Sequence, residues 1–279
     1  METKAKKVLK IDLTAKECET KSFPDLHQYI GGAGLGIKLL EENKETDPVV
    51  LSVGPLNGFF PYASKTSITL LNNSVVEDLY LGGSLSLRIK FAGLDSIVLN
   101  GKAENETILS ISNHKVEFIE PTTEIGSLGL PGKKSVIKVG EKVLLDDYFV
   151  AQENFLENKL IEKNIKGIVV TGTETYKPQA FEKYTELYHN ILAREKDLKV
   201  QKKNNPSCSN CPLGCEHSKT GELGGNVLIH SLVACQYAEN IYSDIGIVFS
   251  CLNVLGYDYT HEDIENLPGF IEETLKNFN

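Results

Sequence analysis

An α+β fold, with the strands gathered in the first half, is predicted for this 279-residue chain on three observations. From Val8 to about Thr173 the apolar residues come in short β-prone runs separated by turn residues. Beyond about residue 175 they recur with helical spacing. No low-complexity tract interrupts either half, and 41% hydrophobic with 24% charged residues describes a globular chain able to bury a core without staples.

The elements follow in order. Val8, Ile11 and Leu13 open a first strand, which a polar turn joins to a second extended run. A helix starts near Gly34, where Leu35, Leu39 and Leu40 share a face. Short strands are expected at 97–99, 107–111 and 115–119, with Asn100-Gly101 and Ser112-Asn113 as turns, and the last strand at 166–171. Phe181, Tyr184, Leu187, Tyr188, Ile191 and Leu192 then line one helical face, and the charged segment 194–203 reads as a surface linker. Residues 227–255 are the most apolar, but His230, Gln236, Glu239, Asn240 and Asp244 leave runs too short to span a bilayer, so buried helix is expected. Thr260 with Asp263 makes a capped start for a final helix, whose length Pro268 should limit. The predicted division is a β-rich N-terminal domain, residues 1–175, and a helical segment, residues 176–279.

A net charge of −9 with no cationic block argues against nucleic acid as a partner. The opening METKAKKVLKIDL has no apolar core of a secretory signal, so a cytoplasmic location without membrane attachment is expected. In a reducing compartment the six cysteines, three of them crowded together, favour metal ligation over a disulfide framework.

The crowded three sit in CSNCPLGCEHS, residues 208–218. Cys208, Cys211 and Cys215 form C-x2-C-x3-C, which lets a short loop wrap three thiolates around an iron–sulfur cluster or a zinc ion. Asn204-Asn205-Pro206, Pro212 and Gly214 oppose a regular helix, leaving the sulfurs free to converge. The plainer alternative is three reduced cysteines in an ordinary loop. A [4Fe–4S] cluster wants a fourth ligand: His217 would complete a Cys3His zinc site, and Cys235 or Cys251 could reach back as a thiolate, although a lone cysteine is more often a buried small hydrophobe.

Three further stretches join this loop in a recognisable order: YIGGAGLG at 29–36, VGPLNG at 53–58 and KFAGLDSIVLNGKA at 90–103. Together they resemble the aldehyde ferredoxin oxidoreductase family, over most of residues 8 to 255. The resemblance implies a truncated, divergent relative of tungsten enzymes that hold a tungsten or molybdenum pterin beside a [4Fe–4S] cluster, oxidise aldehydes and pass electrons to ferredoxin. It implies a pterin-binding base for the β-rich half and the start of a helical cover for the rest. It makes Lys65 and Lys90 candidates to cradle pterin phosphates, Cys208, Cys211 and Cys215 the cluster ligands, and a ferredoxin-like carrier the partner. A second subunit or self-association is also expected, because an unfinished helical cover would expose the apolar 227–255 run.

The departures from the family pattern weigh against full activity. Where the family has G-G-P-E-Y-E-T this chain has GGNVLIH, residues 224–230, without either glutamate, and valine or isoleucine cannot exchange a proton. The family's D-x-x-G-L-D becomes SDIGIV at 243–248, its S-G-R becomes Ala63-Ser64-Lys65, and its later glycine-rich segment becomes 154–164 without a glycine. Two functions therefore stand: an oxidoreductase of this type or a subunit of one, acting on aldehyde or oxo groups with an iron–sulfur acceptor, or a non-catalytic relative that binds a cluster or zinc and serves as an interaction module.

Overall fold

A computed structural model describes residues 2–278, built on two mixed β-sheets followed by helices. Strands β1 (Lys6–Asp12) and β2 (Glu17–Phe23) form the first hairpin. Helix α1 (Gly32–Glu42) follows, with Leu35, Leu39 and Leu40 buried as their spacing predicts. Next come β3 (Val49–Ser52), β4 (Thr66–Asn72), β5 (Val75–Leu81), α2 (Leu85–Phe91) and β6 (Ser96–Asn100). The second sheet uses β7 (Thr107–Ser112), β8 (Lys115–Ile119), β9 (Lys134–Lys138), β10 (Leu144–Leu145), β11 (Phe149–Val150) and, after α3 (Phe155–Glu162), β12 (Ile165–Thr171). The helical part holds α4 (Phe181–Leu192), α5 (Val227–Leu232), α6 (Glu239–Tyr242), α7 (Ile245–Val254) and α8 (His261–Lys276). One two-residue strand, β13 (Glu222–Leu223), returns to the first sheet.

The first sheet runs β13-β5-β4-β3-β6-β1-β2, with only β1 and β6 parallel, and the second runs β11-β10-β9-β12-β7-β8, with only β7 and β12 parallel. Central β3 is buried throughout, whereas edge strand β2 is mostly exposed. A strand covered on both faces needs no polar alternation, which is why VVLS reads as a plain apolar run.

Two buried clusters do most of the packing. One lies against the sheets and includes Leu9, Ile11, Leu51, Ile97, Leu109 and Val170. The other gathers Ile229, Leu232, Tyr242, Leu252, Ile264 and Leu267 from the helices around Phe60 and Tyr62 from the first half. Each such side chain, fully removed from water, contributes about 1.5–3 kcal/mol.

The helical part differs from its sequence reading in four ways. Residues 227–255 are not one helix: α5 stops at Val233, whose φ of 51° is left-handed, and Asn226 and Asp244 cap the pieces by accepting amide hydrogen bonds at the starts of α5 and α7. Nor is this run left as an exposed apolar face, because Ile229, Leu232, Ile241, Val248 and Leu252 are buried against neighbouring elements of the same chain. Thr260 and Asp263 do form a reciprocal capping box, but Pro268 lies inside α8 rather than ending it. The missing amide is offset by the buried row Ile264, Leu267 and Ile271, which anchors both halves of the helix. Finally, the charged 194–203 segment is no simple surface linker, since Leu198 is buried and Val200 packs with it on the helical core.

Glycines bring α5 against the sheet. A β-carbon on Gly54 would sit 2.2 Å from the Leu232 carbonyl oxygen, and one on Gly32 would sit 2.1 Å from that of His230. Both are backbone atoms that cannot swing aside, so these residues serve close packing of α1 and the end of β3 against α5. Among the described residues no helix is long and apolar enough to cross a membrane.

Candidate functional site

The cysteine loop has no regular secondary structure, as its proline and glycine content predicts. Its shape comes from Asn210 and Gly214, both with left-handed φ, and a β-carbon on Gly214 would strike the Asn205 carbonyl oxygen at 2.3 Å. Asn205 ties the loop by donating from Nδ2 to the Cys215 carbonyl at 3.0 Å, and the Ser209 amide donates to Gly83 O at 2.9 Å. Gly82 lets Cys208 lie against the end of β5, because a side chain there would begin 2.4 Å from the Cys208 Sγ.

Cys208, Cys211 and Cys215 line one small, mostly apolar cavity of about 20 Å³. Lys65, His217 and a fourth cysteine, Cys235, face the same space. Tyr62 joins its two walls: its amide donates to Asn210 O at 2.9 Å, and its carbonyl accepts from the Cys235 amide at 3.0 Å. Burial pushes the Cys211 thiol up to about 12, with its cysteine neighbours adding and the Leu213 amide and Lys65 opposing. Among the described residues no three histidine, cysteine or carboxylate side chains converge closely enough to hold one metal ion.

Beside the thiols lies a buried ionic network. Lys65, 2% exposed, sits with Nζ 3.0 Å from Glu222 Oε1, and the Cys235 thiol donates to that same oxygen at 3.2 Å. Glu222 Oε2 accepts from the Gln236 amide at 3.1 Å and lies 3.6 Å from His230 Nε2, whose ring stacks on Tyr80. Burial alone would raise the Glu222 carboxyl, but Lys65, His230 and the Gln236 amide hold it at about 2. For Lys65, burial opposes the charge, yet Glu222 and the thiols of Cys235 and Cys208 keep the ammonium well above its usual range. His230 is buried close to this carboxylate, with Nε2 free of any hydrogen bond.

Lys90 belongs to a different network. It is buried with Nζ 3.1 Å from Asp95 Oδ1 and 3.3 Å from the Tyr257 hydroxyl, and it does not face the cysteine cavity. Both lysines singled out from the sequence are thus neutralised by interior partners. Sequence reasoning missed Glu222 and Tyr62; it named Cys235 and Cys251 alike as able to reach the loop, and of the two only Cys235 lines the cavity. Glu222 had no signal, because β13 is two residues long and sits in a loop without periodicity.

Mixed sheets carrying a helical segment, with clustered thiols beside a buried lysine–carboxylate pair, define an α+β protein with a thiol-lined interior site. Residues 8–138 match the family described as aldehyde ferredoxin oxidoreductase, N-terminal domain, and mark this part of the chain as a divergent relative of that family. It is 32% identical over 148 residues to the aliphatic sulfonate oxidoreductase WOR-like subunit of Pyrococcus furiosus, covering 47% of this chain and 23% of that protein. It is 24% identical over 229 residues to the tungsten-containing aldehyde ferredoxin oxidoreductase of Pyrococcus abyssi, covering 70% of this chain and 37% of that one. The chain therefore spans well under half the length of these curated relatives. The active-site complex BamBC of benzoyl coenzyme A reductase, solved with 1,5-dienoyl-CoA, shares the fold with a TM-score of 0.63 at 16% identity, over 99% of this chain and 56% of that one.

Proposed function

We propose that this chain acts as an electron-transfer portion of an aldehyde ferredoxin oxidoreductase-type enzyme, with an iron–sulfur cluster held by Cys208, Cys211 and Cys215. The observation that carries the reading is that these three thiols surround one buried cavity with the ammonium of Lys65 beside it. Soft thiolates suit iron–sulfur clusters and zinc alike, but a cluster places its ligands on separate irons, whereas zinc draws all four sulfurs to about 2.3 Å from one centre. Thiols lining one cavity are compatible with the cluster. When bound, a [4Fe–4S] centre would supply one-electron relay towards a ferredoxin-like carrier. The residues of this chain exclude water from the thiols, through Tyr62 and Leu213, and set a fixed positive charge beside them, through Lys65.

The pterin is less well served by the residues in hand. Lys65 and Lys90 would each have to leave a buried carboxylate to meet a phosphate, and the backbone of α5 already fills the space against Gly32 and Gly54. No step is assigned to a pterin through these residues. The same observation favours a second reading, a non-catalytic relative that keeps the cluster as a structural or electron-carrying element.

The test is iron, acid-labile sulfide, zinc, tungsten and molybdenum content of protein purified without oxygen, read beside visible absorption. About four irons and four sulfides per chain are expected, with both lost in Cys208→Ser. Tungsten or molybdenum in addition selects the enzyme, and iron alone selects the second reading. One zinc per chain and no colour would overturn the redox role.

A further inference from the structure

We propose that Cys235 is the fourth protein ligand of the centre held by the cysteine loop, an inference that rests on the loop holding an iron–sulfur cluster. Among the described residues, the sequence offers three candidates outside the C-x2-C-x3-C spacing. Cys251 is buried in α7 among helical core residues and does not reach the cavity. His217 does line it, but its side chain is 41% exposed, stacks on Tyr237 at 4.6 Å and has Nε2 3.5 Å from Glu216, facing outward. Cys235 lines the cavity together with the three loop cysteines.

Its position is built rather than incidental. Tyr62 holds the two walls in one frame, gripping Asn210 in the loop through its amide and Cys235 through its carbonyl. The carbonyl of Cys235 also accepts from the Ala238 amide at 2.8 Å, so a short turn fixes its backbone on both sides. A thiol in a mobile segment could not keep register with three others; this one is tied directly to them.

Burial and the Glu222 carboxylate hold Cys235 as a thiol, with Lys65 and the Tyr237 amide opposing, so ligation has to displace that proton. On ligation Cys235 releases its thiol proton to solvent and surrenders its hydrogen bond to Glu222. Glu222 is not orphaned, because Lys65 and the Gln236 amide still occupy its oxygens. Lys65 shares the Glu222 Oε1 atom with the Cys235 thiol, so its ammonium lies close to the new negative charge. A buried anionic centre needs such a counter-charge.

The full chain is loaded without oxygen with ferrous and ferric iron and sulfide, and iron, sulfide and electron paramagnetic resonance are compared for wild type, Cys235→Ala, Cys251→Ala and His217→Ala. Cys235→Ala is expected to fall from about four irons to about three per chain, to keep its sulfide, and to show the signal of a three-iron cluster when oxidised. Cys251→Ala and His217→Ala are expected to keep four irons. Four irons and an unchanged spectrum in Cys235→Ala would overturn the proposal, as would loss of iron confined to His217→Ala. If wild type itself takes up no iron, the reading of the loop fails and this inference falls with it. If wild type holds four irons, Cys208→Ser none and Cys235→Ala four, the loop reading stands and this inference alone is refuted. Thermal unfolding of iron-free protein shows whether Cys235→Ala folds; if it does not, Cys235→Ser, close in size, carries the test through an altered resonance signal, and an unaltered one would overturn the proposal.

Discussion

Replacing Asp95 by asparagine strips two buried lysines of their counter-charge at once. Lys90 Nζ lies 3.1 Å from Asp95 Oδ1, Oδ2 accepts the Lys7 amide at 2.9 Å, and Lys6 is buried with its ammonium 5.4 Å from the centroids of both the Tyr257 and Tyr259 rings. Burial would raise the Asp95 carboxyl, but Lys90, Lys6 and the Lys7 amide outweigh it and keep it below the usual range. Removing one partner of a buried pair costs about 3–5 kcal/mol, and with two ammoniums affected we expect Asp95→Asn to lose about 5 kcal/mol at about pH 7. That is a large fraction of the roughly 5–15 kcal/mol by which a domain is stable.

The pH dependence has a definite sign. Burial, opposed by Asp95 and aided by Lys90, lowers Lys6 to about 8 in the folded state, against 10.5 when unfolded. Between those values the unfolded chain binds more protons, so stability rises with pH, by up to about 3 kcal/mol at 1.36 kcal/mol per unit. In Asp95→Asn the group that raised both lysines is gone, so they shed protons at lower pH. The deficit relative to wild type is therefore greatest near neutrality and shrinks towards about pH 9.5, below the range in which unfolded tyrosines ionise. Urea unfolding of metal-free protein at several pH values measures both quantities. A deficit below about 1 kcal/mol, or one that widens as pH rises, would refute the reasoning.

Other perturbations test the packing. Gly54→Ala would put a β-carbon 2.2 Å from the Leu232 carbonyl oxygen and drive α5 from the sheet, with an expected loss of about 3 kcal/mol in urea unfolding; a neutral result would mean that α5 docks loosely. Pro268→Ala restores an amide donor inside α8 and should add about 1–3 kcal/mol to stability, seen as a higher unfolding temperature. Thr260→Ala removes one arm of the capping box, whose hydroxyl accepts from the Asp263 amide at 3.2 Å, and should cost about 1 kcal/mol.

The resemblance guided the reading of the loop and the base, but it led towards Lys65 and Lys90 as free cations. Interior carboxylates neutralise both. A lysine's partner is chosen in space, so a motif that keeps the cation cannot reveal that Glu222 or Asp95 has claimed it. The absence of the family's glutamates from 224–230 likewise gave no hint that Glu222, just upstream, enters the interior on β13.

What the sequence by itself determined is whatever short-range spacing encodes: strands β1, β2, β6, β7, β8 and β12, the α1 face carried by Leu35, Leu39 and Leu40, the capping box at Thr260, and an irregular loop that gathers three cysteines. Neighbours a few residues apart interact in nearly any compact state, so their pattern survives in one dimension. Only the tertiary structure decided that Cys235 faces that loop, that Glu222 neutralises Lys65, that Tyr257 meets Lys90 from 167 residues away, and that α5 rests on bare glycine backbone. These contacts exist because the sheets and helices close on one another, and the distance across a closed core leaves no periodic trace along the chain.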